Sequence, residues 1–127
     1  MQTPTENASG GADTINLDGF REAVGGDQSE RIELLELYVD QIKTKIPLVE
    51  AALKNNLPEL VRITHTLTGS TSTCGLDEFA AHLRALHSVA KAANQSAAEA
   101  LFPQVAAYAI RLQSAIEQEL ARCKSQP

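Results

Sequence analysis

From residue 16 to about residue 121, apolar side chains return every three or four positions, and no segment alternates with period two over a useful length. That spacing demands amphipathic helices and leaves no strand pattern from which to build a sheet. The clearest stripe reads Leu35, Tyr38, Ile42, Ile46, Val49, Leu53. Composition agrees: aromatics are 4% with no Trp, whereas strands of a sandwich or barrel want β-branched and aromatic residues.

Helix boundaries follow from turn and cap chemistry. Leu17, Phe20 and Val24 predict a short helix over 16–24, stopped by Gly25-Gly26. Asp27 with Glu30 has the form of a capping box opening the next helix. Pro47 falls inside that stripe and predicts a kink, because the periodicity continues past it. Asn56 reads as the cap of a third helix, with Pro58 in its first turn and Gly75 at its end. That helix turns Leu60, Ile63, Thr64, Leu67, Thr71 and Cys74 towards the core. The fourth carries Phe79, Leu83, Leu86 and either Val89 or Ala90, with Asp77-Glu78 as its expected cap. Asn94-Gln95 makes a turn, and Ser96 with Glu99 predicts a second capping box. The last stripe is Leu101, Val105, Tyr108, Leu112, Ile116, Leu120, with Pro103 either a local defect or the true start.

Four long amphipathic helices joined by short turns pack most simply as an antiparallel up-down bundle, with the short helix closing one end. The expected organisation is a disordered leader over 1–13, the all-α bundle over 14–123 and a tail over 124–127. A length of 127 residues fits one domain. The first 13 residues have neither a basic n-region nor an apolar h-region, and charge-free runs such as residues 101–110 are too short to cross a bilayer. Cytoplasmic localisation and no membrane partner are the resulting expectations. Sixteen acidic against eleven basic residues leave a net charge of −5, which argues against a nucleic-acid partner. Cys74 and Cys123 lie in no CxxC pair and read as reduced structural thiols.

The third helix is locally unfavourable: hydroxyl side chains crowd between Thr64 and Thr73 around Gly69. At about 100° per residue, His65 points roughly 140° away from the centre of the apolar cluster, into solvent. Arg62 and Gly69 lie one turn to either side of it, with Ser72 two turns on. Gly69 removes every side-chain atom from the spot next to the imidazole, so another molecule can approach the ring closely. His82 and His87 stand five residues apart, a spacing that does not set ligands side by side, and read as surface residues. No metal site is expected.

The run His65-Thr66-Leu67-Thr68-Gly69-Ser70, followed by Gly75 and the fourth helix with Leu83 and Leu86, resembles the signature of histidine-containing phosphotransfer (HPt) domains. These four-helix bundles relay phosphoryl groups in two-component phosphorelays. The similarity spans about residues 16–121. It implies that His65 accepts phosphoryl at Nε2 and that Val61, Arg62, Thr68, Gly69 and Ser72 contact the phosphoryl group or the partner. It implies as partner the receiver domain of a response regulator or hybrid kinase, with Mg²⁺ only in that partner. No cofactor is expected in this chain, which is read as a monomeric phosphocarrier without turnover of its own. The chemistry suits an imidazole, since an exposed neutral ring offers a nucleophilic nitrogen near neutral pH.

Two positions depart from the family pattern. Lysine usually stands three residues after the histidine, where this chain has Thr68, and a Leu-Glu pair is common where it has Leu83-Arg84. Thr68 supplies no charge, so Arg62 is the expected substitute cation, with Arg84 as a second. The alternative reading is an adaptor of the same fold that binds a receiver or kinase without carrying phosphate.

Overall fold

The computed structural model describes residues 15–125. Five helices follow in order: α1 (Asp18–Val24), α2 (Gln28–Asn55), α3 (Leu57–Thr73), α4 (Asp77–Lys91) and α5 (Gln95–Lys124). No strand occurs among the described residues. Helix α2 packs on α3 and α5, and α4 packs on the same two, which closes the antiparallel four-helix ring that the periodicity predicts. The expected leader over 1–13 lies outside the described residues. At the other end Lys124 is the last residue of α5, not the first of a tail.

The core is largely aliphatic, with two phenylalanines and two tyrosines, Tyr38 and Tyr108. Phe20, Leu35, Val49, Leu60, Phe79, Leu83, Leu86, Leu112 and Ile116 are fully buried. The inward stripes are those expected, except that Ile46, Cys74, Leu101 and Leu120 pack only half-buried at the margin. Of the two choices on α4, Ala90 is buried and Val89 lies at the edge. Both prolines fall inside helices that run through them, so Pro103 does not start α5.

Two of the four expected caps form, and at the other two helices the capping residue differs. The Asp27 carboxylate accepts the Glu30 amide at 2.8 Å, and Asn56 accepts the Glu59 amide at 3.1 Å. At α5 the cap is Asn94, whose side chain accepts the Ala97 amide at 3.0 Å, so Ser96 already lies within the first turn. Ala93 adopts a left-handed φ of 58°, and the Asn94 amide bonds back to the Val89 carbonyl at 2.9 Å. One residue thus ends α4 through its backbone and opens α5 through its side chain. At α4 the residue before the helix is Leu76 and no side chain caps it. Asp77 and Glu78 sit inside the first turn, where their charge favours the positive end of the helix dipole.

The hydroxyl run of α3 is absorbed by close contacts. Buried Thr71 shares a 2.5 Å hydrogen bond with the Tyr38 hydroxyl, and burial pushes that phenol well above its usual range. Ser70 donates to Gln41 Oε1 at 3.3 Å, again between α3 and α2.

Helix α1 is held by a buried carboxylate. Glu119 of α5, 5% exposed, accepts from Arg21 Nε at 3.2 Å and Nη2 at 3.1 Å, and from Arg122 at 2.6 Å. The hydrogen bond from Arg21 does most to hold its carboxyl down, to about 2. A carboxyl depressed in the folded state adds stability that is complete above its ordinary value near 4.5 and is lost as pH falls towards 2. Glu119→Gln is therefore expected to destabilise the protein by about 2 kcal/mol at neutral pH and by much less near pH 2. Denaturant titrations of both proteins across that window check it.

Candidate functional site

His65 lies midway along α3 on its outer face and is exposed, as the helical angle requires. The other two histidines are half-buried. A Cβ built on Gly69 meets nothing within 4 Å, so the surface one turn beyond the imidazole is open. Ser72 is exposed on the same side. Gly69→Leu is expected to leave stability unchanged or raise it by up to ~1 kcal/mol, because leucine is the better helix former and the new side chain has room. The same side chain stands over the approach to His65.

Two shallow depressions flank His65. One is lined by Val61, Arg62, His65, Thr66, His87 and Lys91. The other is lined by His65, Thr68, Gly69, Ser72, Arg84 and His87. All six residues singled out from the sequence therefore fall along one face, and His65 and His87 form the wall between its two halves.

The reading of His87 as an ordinary surface residue is corrected by this arrangement. Its ring stands beside that of His65, with centroids 5.6 Å apart and planes tilted by 41°. Its Nδ1 faces Thr64 Oγ1 at 3.1 Å and the Val61 carbonyl at 3.2 Å, which ties α4 to α3. His82 instead lies against the Tyr108 ring at 5.1 Å. Among the described residues no three His, Cys, Asp or Glu side chains converge in a way that could hold a metal ion.

The local electrostatics differ from the sequence expectation in two respects. Arg62 is not free: its guanidinium forms a two-point ion pair with Glu59, with Nε to Oε1 at 3.0 Å and a second, closer contact from Nη2. That pair holds the Glu59 carboxyl below its ordinary range. The Thr68 hydroxyl, in turn, donates to the Thr64 carbonyl at 2.6 Å, a back-bond to the preceding turn. Cations come from α4 instead. Arg84 and Lys91 are exposed, line the two depressions on either side of His87, and form no ion pair among the described residues. Lys91 escaped the sequence reading, although Arg84, His87 and Lys91 follow one another at steps of three and four and so share a helix face. Among the described residues no carboxylate lines either depression. In a chain of net charge −5, this face is locally basic and suited to an anion.

Residues 33–124 match the family model described as Hpt domain. The match begins inside α2 and ends with α5, so it takes in α3, α4 and the whole His65 face. No curated protein and no solved structure matches the chain.

Proposed function

The chain belongs to the Hpt domain family, whose members perform histidine phosphotransfer in phosphorelays, and on that premise we propose that His65 is the residue carrying the phosphoryl group. The observation that carries the assignment is exposure: of the three histidines only His65 is exposed, and open space beside Gly69 leaves its ring accessible to a partner. The donor or acceptor is the aspartate of a receiver domain, or a kinase, in a two-component pathway.

In the transfer, a lone pair on a His65 ring nitrogen attacks phosphorus. The N–P bond forms as the P–O bond to the receiver aspartate breaks, and the electron pair leaves with the carboxylate. The imidazole is intrinsically nucleophilic, so no base is needed to activate it, and catalysis is mainly positioning and charge. In this reading Mg²⁺ is held by the receiver, and this chain, a cytoplasmic monomer, supplies no cofactor. It is a covalent carrier, without turnover of its own.

A phosphorylated His65 bears close to two negative charges. Arg84 and Lys91 are placed to offset them where the family lysine is replaced by Thr68, and Arg62 contributes less because Glu59 already holds it. Arg84→Ala and Lys91→Ala are each expected to slow transfer or shift its equilibrium by around tenfold, the size that about 1.4 kcal/mol implies. Arg62→Ala should do less, and Thr68→Lys should restore activity to the α4 variants. Transfer rates from a phosphorylated receiver, measured for these proteins side by side, check the ranking.

Incubation with phosphorylated receiver domains tests the function itself. Acid-labile phosphate on this chain is the expected result. Binding without label would favour the adaptor reading, and Gly69→Leu should abolish both binding and label.

A further inference from the structure

His87 is the titratable side chain in ring contact with His65 to which phosphotransfer has so far given no task. Its protonation pattern can be deduced from its partners. The Val61 carbonyl, 3.2 Å from Nδ1, can only accept a hydrogen bond. The Thr64 hydroxyl, 3.1 Å from the same nitrogen, gives its own hydrogen to the Leu60 carbonyl at 2.8 Å and is left as an acceptor. Nδ1 must therefore carry a hydrogen whether the ring is neutral or charged. Any change of charge takes place at Nε2, which holds a lone pair in the neutral ring and an N–H in the cation.

The charges around that ring are distinctive. Arg84 and Lys91 flank it on α4, and α3 contributes His65 and Arg62, the latter paired with Glu59. Helices α2 and α5 send no charged group into either depression. Before phosphorylation His87 therefore faces cations. Afterwards a dianion stands on the neighbouring ring, which favours the charged imidazole.

We infer that His87 is a proton-linked clamp for the phosphohistidine: its Nε2 takes up a proton when His65 is loaded and donates it in a hydrogen bond to a phosphoryl oxygen. The inference rests on His65 being the acceptor. Loading forms the N–P bond at His65 and breaks the donor's bond to phosphorus, whose electron pair leaves with the donor. Separately, one proton passes from solvent to His87 Nε2, and it returns to solvent when the phosphoryl group moves on. The loaded state then binds more protons than the free state, so falling pH favours loading across the interval between the two titration midpoints of His87.

The test loads the full chain with phosphoramidate, a small-molecule donor to imidazole, and follows the ring resonances of His87 together with the ³¹P signal. Loading is expected to raise the His87 midpoint by at least one pH unit, a tenfold gain in proton affinity. Besides the phosphoryl group's own titration, the ³¹P resonance should show a pH step at that midpoint, absent in His87→Gln, whose amide can still hydrogen-bond but cannot titrate. Equal midpoints in the free and loaded protein would overturn the inference, as would a ³¹P step at the His87 midpoint, beyond the phosphoryl group's own titration, that survives in His87→Gln. The midpoint comparison uses the wild-type chain alone and does not depend on the variant folding. Absence of any ³¹P signal, or an undiminished signal in His65→Gln, would overturn the acceptor assignment and this inference with it.

Discussion

Replacing His65 by glutamine is expected to remove phosphoryl acceptance entirely while leaving the bundle folded. Glutamine keeps a polar side chain of similar reach but has no ring nitrogen lone pair to attack phosphorus, so the loss should be complete. The His65 side chain is exposed and forms no hydrogen bond among the described residues, so the change in stability should stay within about 0.5 kcal/mol. Its ring packs at a tilt against that of His87, itself anchored through Nδ1 to Thr64 and Val61. Incubation of both proteins with a phosphorylated receiver, alongside a thermal melt, reads the two effects separately. Retained label in the variant would move the acceptor elsewhere, and lost label with a collapsed melt would leave folding as the cause.

The largest loss of stability is expected at Gly75. This residue ends α3 with a φ of +76°, a conformation that costs an L side chain roughly 1–2 kcal/mol. Its amide bonds to the Ser72 carbonyl at 2.9 Å, and the next amide, Leu76, bonds to the Thr71 carbonyl at 3.1 Å, completing the double closure of the helix end. The position is also crowded. A Cβ on Gly75 would lie 2.3 Å from the Gly19 carbonyl oxygen, and one on Gly19 would lie 2.5 Å from the Gly75 carbonyl oxygen. Two backbones touch here, where α1 is laid across the α3–α4 turn, and neither can yield as a flexible side chain would. Gly75→Ala combines strain with overpacking and is expected to cost about 3 kcal/mol. Gly19→Ala carries the crowding alone and should cost about 2 kcal/mol. Denaturation midpoints of the two variants should fall in that order, and a neutral Gly19→Ala would show that α1 is free to shift.

Helix number, order and facing were legible in the sequence because they rest on local quantities: the three-and-four spacing of apolar residues, and Gly and Asn at the breaks. The same quantity placed His65 outward, since its angle relative to Leu60, Thr64, Leu67 and Thr71 depends only on the helix itself. The caps show where local reading ends. Ser96 and Glu99 have the spacing of a capping box, but the left-handed turn at Ala93 delivers the chain to α5 with Asn94 in the capping position.

What lies beside His65 was decided by packing between helices. The exception is Arg62, which shares the helix face of His65 but is occupied by Glu59 three residues earlier on α3 itself, a pairing that the spacing along one helix allows. Arg84, His87 and Lys91 could be seen as one face of α4, but the rotation and height of α4 against α3 set which residues that face meets. Those two quantities are fixed by burial of Leu83, Leu86 and Ala90 and by the His87–Val61 contact, interactions between residues more than twenty positions apart. A single sequence therefore determined the bundle, the exposed histidine and the open surface at Gly69, all properties of one helix at a time. The basic surround and the second imidazole depended on how two helices dock, because docking is settled by interlocking side chains that no spacing rule along one chain encodes.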